Sequence, residues 1–245
     1  FGSRIWCFAY GGIDFMNIKF VSTGGVFDYK IGNSSAIIES PWGNILIDCG
    51  YTVYPKLEEN HLIDKIDYVL ITHLHGDHVG SIHPLILNMV NRCGKIVKII
   101  CPTNNFKSLL RKSLEIFLIN VDKYVEFVDI HDFQGMGYID TTNCHVEGME
   151  SFAYYFKDNE QFIYYSGDLG DIGVTERFLN TVDHQNIVVF HETSFIQGKA
   201  HVYYKDLMRF IHEHNYDVYA YHCNHVKAPI DCTLKFVAEQ DQFHI

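Results

Sequence analysis

Ile66-Asp67-Tyr68-Val69-Leu70-Ile71-Thr72-His73-Leu74-His75-Gly76-Asp77-His78 begins as an apolar strand and ends in four metal-ligand side chains. Residues 66–71 have the composition of a buried β-strand, and residues 79–90 place apolar side chains at helical spacing. Between them, three imidazoles and one carboxylate fall within six positions. Imidazole nitrogen and carboxylate oxygen suit zinc and similar divalent ions. In an extended segment His73 and His75 point the same way, because side chains alternate with period two. They can share one ion, while Asp77 and His78, on the turn into the helix, serve a second. The alternative is a polar solvent loop. Its position directly after an apolar strand speaks against that, since four such groups buried without partners would be costly.

Outward from this loop the chain reads as short β-type runs separated by turns and a few helices. Strands are expected at 17–21, 35–39, 44–48, 95–101, 125–129, 141–146, 152–156, 161–165, 187–190 and 218–221. Pro41-Trp42-Gly43 reads as a hairpin turn. Helices are expected at 79–90, 103–119 (with Thr103 as its cap), 175–179 and 204–214. Strand runs open each half and helices follow, which fits an α/β fold of two facing sheets with helices outside, an αββα sandwich.

The bulk properties narrow the function. A chain of 245 residues with 47% apolar and 20% charged side chains suits one globular domain. We expect that domain over 16–245, with 1–15 an extension or expression remnant before a natural start at Met16, or an ordinary N-terminal arm. No apolar run approaches the roughly 20 residues of a membrane span, and the N-terminal stretch lacks a signal-peptide pattern. Seven cysteines, without a CxxC pair, read as reduced thiols of a cytoplasmic protein. Cys49, Cys144 and Cys223 adjoin candidate site residues and read as small buried residues, not ligands. The net charge of −11 disfavours long nucleic acid as a partner. Lys107, Arg111 and Lys112 form only a modest basic cluster. A small anionic substrate at a metal site fits better.

His73-x-His75-x-Asp77-His78 resembles the signature of the metallo-β-lactamase superfamily, and the likeness covers nearly the whole chain. Asp48 in "LIDCG" matches the aspartate that supports the metal loop. His145 in "NCHVEG", Asp168 in "YYSGDLG" and His222 in "YAYHCNH" match the remaining ligands. His225 competes with His222, and only the family pattern ranks His222 first. The resemblance implies one metal held by His73, His75 and His145, a second by Asp77, His78 and His222, and Asp168 bridging them. Two such ions, most simply Zn²⁺ with Mn²⁺ or Fe²⁺ as alternatives, activate water and polarise a phosphoryl or carbonyl oxygen.

Glu192 and His201 in "FHETSFIQGKAHVYY" resemble a glutamate–histidine pair of ribonuclease Z and its phosphodiesterase relatives. There the histidine serves the scissile phosphate and the glutamate orients it, a sensible arrangement for donating a proton to a leaving alkoxide. Only 23 positions separate His145 from Asp168 (168 − 145). This leaves no room for the protruding arm with which ribonuclease Z grips tRNA. The opening "MNIKFVSTGGVFDYKIGNSSAIIE" is similar to the anti-Pycsar phosphodiesterases, which destroy cyclic CMP and cyclic UMP.

That resemblance implies a metal-dependent phosphodiesterase acting on a small cyclic nucleotide and countering cyclic-nucleotide antiphage signalling, with Asp77, His201, Glu192 and Asp48 carrying the chemistry. It also implies a homodimer whose site is completed across the subunit contact, for which residues 88–117 are the candidate segment. Within that segment Phe106 is a candidate for stacking on a base. The competing expectations are an RNA 3′-end endonuclease and a nucleotide-sequestering protein with a degenerate site.

Overall fold

The computed structural model describes residues 16–118 and 120–245. The expectation for residues 1–15 lies outside the described residues. The chain runs β1 (Asn17–Ser22), β2 (Ser35–Ser40), β3 (Gly43–Ile47), α1 (Val53–Glu59), β4 (Tyr68–Leu70), α2 (Gly76–Val79), α3 (Ile82–Asn91), β5 (Val97–Cys101) and α4 (Asn104–Glu115). It continues through β6 (Val125–Asp129), β7 (Met136–Asp140), β8 (Phe152–Lys157), β9 (Phe162–Tyr165), α5 (Ile172–Leu179), β10 (Ile187–Glu192), α6 (Tyr204–Glu213) and β11 (Asp217–Tyr221).

One sheet has the order β1-β2-β3-β4-β5-β6, the other β11-β10-β9-β8-β7. Each half begins with antiparallel strands and continues with parallel ones. β3, β4, β5 and β6 are parallel neighbours, as are β9, β10 and β11. The sheets face each other across an apolar core. Phe20 of β1 meets the rings of Phe190, Tyr221 and Tyr165 at 5.3, 5.7 and 6.2 Å between centroids. The outer face of the second sheet buries Val189, Val218 and Ala220 against Leu179 of α5 and Leu207 and Phe210 of α6. Strands covered on both faces are expected to read as nearly continuous apolar runs, and the core strands here do.

The Thr103 cap forms as expected, with Phe106 N–H donating to its hydroxyl at 3.0 Å. Phe106, Leu110 and Leu114 of α4 are then buried at helical spacing, roughly 1.5–3 kcal/mol each. Phe106 therefore cannot stack on a base, because its ring is fully buried edge-on to Phe152.

Two other expectations are corrected. The helix expected at 79–90 is broken at Gly80-Ser81. Ser81 N–H donates to the Cys49 carbonyl at 2.9 Å, and its hydroxyl accepts from Tyr54 N–H at 3.1 Å, so these groups tie α3 to the loop after β3. The strand expected at 141–146 is a loop. Thr142 N–H turns back onto Asp140 Oδ1 at 2.9 Å, and Asn143 adopts φ +66°, a conformation Asn tolerates better than most residues. The strand of that region is β7, five residues earlier.

This topology places the site. Asp48 follows β3, the histidine loop follows β4, Asp168 follows β9, Glu192 ends β10 and His222 follows β11. Parallel strands deliver their carboxyl ends to one rim, where ligands of open α/β sheets gather. Phe152 N–H donates to the Thr72 carbonyl at 3.0 Å and His73 bridges to Ser151. The two sheets are thus stitched together beside the histidine loop.

Candidate metal centre

His73, His75 and His145 converge first. His75 Nδ1 lies 3.0 Å from both His73 Nε2 and His145 Nε2, and one proton cannot serve three nitrogens. His145 Nδ1–H donates to the Ala200 carbonyl at 2.7 Å. That contact fixes the tautomer and leaves the Nε2 lone pair facing the cluster, as outer partners of ligating histidines do. Burial holds His73, His75 and His145 below their usual range, so all three are neutral at pH 7.

The second group is Asp77, His78, Asp168 and His222, all buried. His78 Nε2 lies 3.5 Å from Asp77 Oδ2 and 3.4 Å from Asp168 Oδ1. His222 Nε2 lies 3.4 and 3.5 Å from the same two oxygens. Donors about 2.0–2.1 Å from a tetrahedral ion are separated by roughly 3.3 Å, so these spacings fit a cation. His78 Nε2 and Asp168 Oδ1 are buried without a hydrogen-bond partner. Leaving both unpaired would cost about 1–3 kcal/mol each or more; a cation between them removes that cost. Burial opposes ionisation of Asp77 and Asp168, but His222 and His78 outweigh it and hold both carboxyls low.

Asp168 joins the groups. Its Oδ1 faces His78 and His222, while Oδ2 lies 3.6 Å from His145 Nε2 and 3.9 Å from His73 Nε2. Asp48, fully buried, sits beneath. Its Oδ1 accepts from Thr72 N–H at 2.8 Å and its Oδ2 from His78 Nδ1–H at 2.8 Å. It holds the loop and sets the His78 tautomer.

His201 Nδ1 lies 3.1 Å from Glu192 Oε2. Glu192 is wholly buried and its Oε1 accepts from Val202 N–H at 2.8 Å and Leu169 N–H at 3.3 Å. Burial raises the Glu192 carboxyl. Burial works against a charged His201, but the Glu192 hydrogen bond and charge win and push it up to about 9. His222, not His225, enters the cluster; the His225 ring packs near Phe236. The six described cysteines are free and none belongs to a ligand group. Cys49 and Cys223 are buried, whereas Cys144 is half-buried, a correction to its reading as a buried residue.

A cleft of about 280 Å³ opens over the centre, lined by His75, Asp77, His145, Asp168, His201 and His222, with Val26 and Tyr51 at its walls. Sequence reading missed Tyr51. Its signal was the pair Gly76 and Gly80, one helical turn apart. A Cβ on Gly76 would lie 1.7 Å from the Tyr51 hydroxyl, and one on Gly80 2.4 Å from its ring. Those glycines let the ring lie against the loop.

The model of the family described as "Anti-Pycsar protein Apyc1" matches residues 16–243. The chain belongs to that family. Among Apyc1 proteins, that of Bacillus phage BSP38 is 28% identical over 223 residues, covering 82% of this chain and 85% of that protein. That of Bacillus phage 010DV004 is 27% identical, covering 81% and 84%. Among solved structures, the metallo-β-lactamase-fold protein YhfI of Bacillus subtilis superposes with TM-score 0.67 at 17% identity, over 86% of this chain and 87% of that one. A diphosphatase of the PhnP family gives 0.61 at 15% identity, over 88% and 92%. The chain thus has the metallo-β-lactamase fold, and its buried His/Asp cluster is suited to divalent metal. No helix among the described residues is long and apolar enough to cross a membrane.

Proposed function

We propose that this Apyc1-family chain is a binuclear metal-dependent phosphodiesterase. It hydrolyses small 3′,5′-cyclic nucleotides of the cyclic CMP and cyclic UMP type to nucleoside monophosphates and acts in the cytoplasm against cyclic-nucleotide antiphage signalling. The observation that carries this reading is Asp168: its two oxygens face two separate ligand groups, in the same cleft that His201 enters. His73, His75 and His145 would hold one ion, and Asp77, His78 and His222 the other, with Zn²⁺ favoured by the donor set. When bound, such ions neutralise phosphoryl oxygens and make water a nucleophile at neutral pH.

The chain's own residues do the rest. Asp48 fixes the His78 lone pair toward Asp77 and Asp168. Glu192 holds His201 by Nδ1, so Nε2 is the nitrogen turned to the substrate. His201 gives its proton to the ribose oxygen as the phosphorus–oxygen bond breaks. A nuclease reading needs an RNA-gripping arm between His145 and Asp168, but β8, β9 and the turn that joins them take up most of that interval. A homodimer with its contact along residues 88–117 belongs to the same proposal. In its support, Ile116 and Phe117 are 77% and 63% exposed there.

The test is hydrolysis of a panel of 3′,5′-cyclic nucleotides by metal-loaded protein beside an Asp77→Ala/His78→Ala control. Metal-dependent conversion of cyclic CMP or cyclic UMP, absent in the control, is expected. No turnover of any cyclic mononucleotide would overturn the substrate assignment.

A further inference from the structure

We infer that the groove beside the metal cleft is a nucleobase subsite, with Phe27 as its stacking platform. The inference rests on the proposed reaction only in placing a nucleotide's phosphate at the metal centre. The groove has a volume of about 540 Å³ and shares Val26, His201 and His222 with the metal cleft. The two are therefore continuous, and the size falls within the roughly 300–1,000 Å³ of small-molecule sites.

The two parts differ in chemistry. The metal cleft is walled by imidazoles and carboxylates. The groove is walled by Phe27 and Ile196, which belong to separate segments and are 82% and 80% exposed, with Phe195 between Tyr204 and Phe236 at ring distances of 5.9 and 6.1 Å. Single exposed apolar residues are ordinary. Two from separate segments, on one groove that opens onto metal-ligand candidates, form a surface. A nucleotide divides the same way, into a charged phosphate and a flat, weakly polar base.

The turn that presents Phe27 is fixed. Gly24 N–H donates to the Gly32 carbonyl at 2.8 Å, and Asp28 N–H to the Gly25 carbonyl at 3.1 Å. Asn224 Nδ2–H reaches Asp28 Oδ1 at 3.1 Å, and Cys223 N–H donates to the Thr23 carbonyl at 3.2 Å. Phe27 is thus fastened to the segment that carries His222. With the backbone of the turn held beforehand, only the Phe27 side-chain torsions remain to be fixed when a base stacks on the ring. The Asp28 carboxylate is already engaged, His201 is shared with the metal cleft, and the charged group left to the groove alone, Lys227, is a single exposed side chain. That leaves the groove poorly suited to a second phosphate and suited to an uncharged ring.

Calorimetry on the metal-loaded protein tests this with CMP and ribose 5-phosphate, which share the phosphate and sugar and differ in the base. Wild type is expected to bind CMP about tenfold more tightly, roughly 1.4 kcal/mol, within the range of base–aromatic stacking. Phe27→Ala is expected to erase most of that preference, the loss falling on CMP, while Phe27→Trp retains it. Melting curves confirm that both variants are folded. Equal affinity of wild type for the two ligands, or a Phe27→Ala loss shared equally by both, overturns the subsite. Failure of the reaction itself shows separately, as absent turnover of cyclic nucleotides by wild type.

Discussion

Asp48→Asn replaces one carboxylate oxygen by an amide NH₂, and the geometry points to the side of the proposed metal centre that this weakens. Asn tolerates the Asp48 backbone, whose φ is +61°. Its Oδ1 still accepts from Thr72 N–H, now 2.8 Å from Asp48 Oδ1. The change falls opposite His78 Nδ1, 2.8 Å from Oδ2, where an amide NH₂ replaces an acceptor. Two donors cannot face each other, so His78 accepts at Nδ1 and its proton moves to Nε2. That nitrogen lies 3.5 Å from Asp77 Oδ2 and 3.4 Å from Asp168 Oδ1, where a ligand lone pair is required. Loss of such an outer partner typically costs 10–100-fold in metal affinity, about 1.4–2.7 kcal/mol. The loss falls on the ion of His78, and the His73/His75/His145 ion is retained. Elemental analysis after dialysis against a graded chelator, with a chromophoric competitor for affinity, reads this directly. An Asp48→Asn protein that holds two ions at wild-type affinity would refute the reasoning.

Three further outcomes are expected. His201→Ala slows cleavage of an unactivated ribose ester by about 10²–10⁴-fold but a p-nitrophenyl phosphodiester far less; equal losses on both leaving groups would rule out proton donation. Gly50→Ala drives a Cβ to 1.8 Å from the Asp77 carbonyl oxygen, so it lowers stability by about 1–3 kcal/mol and weakens metal binding, both read by melting and metal content. His191 concerns stability against pH. Burial holds it neutral, down to about 4 against an ordinary 6.5. Its Nδ1–H donates to the Glu192 carbonyl at 2.7 Å and its Nε2 accepts from Thr175 at 3.0 Å. The unfolded chain takes up a proton below pH 6.5 and the folded one only near 4. The neutral form's contribution is therefore complete above 6.5 and is lost as pH falls from 6.5 to 4. At about 1.4 kcal/mol for each pH unit the loss is at most about 3.5 kcal/mol, visible as a steeper decline of wild type than of His191→Gln in denaturant titrations. Parallel declines would contradict it.

The histidine loop was legible because four ligands follow one strand within six residues, and local order fixes where they point. Asp48 and Asp168 were legible by family pattern and by their places after strands. What the sequence hid depends on contacts across the fold. His145 read as a strand residue because Cys144 and Val146 flank it with apolar side chains, yet Asn143 and the Asp140 turn bend it out of the sheet. β7 was overlooked because "MGYID" carries a glycine where a strand pattern wants a side chain; a Cβ there would meet the Tyr155 hydroxyl at 2.3 Å. The break at Gly80-Ser81 reflects carbonyls more than 30 positions earlier in the chain. Phe106 looked available because a helix pattern alone does not say which sheet covers it.

If the chain holds two ions, with Asp168 serving both, metal titration will show it. Metal-free protein is titrated with Zn²⁺, and separately with Mn²⁺, while cyclic CMP turnover is followed. Turnover is expected to appear with the second equivalent and to level off at two ions per chain. Full turnover at one equivalent, or persisting in excess chelator, would contradict it.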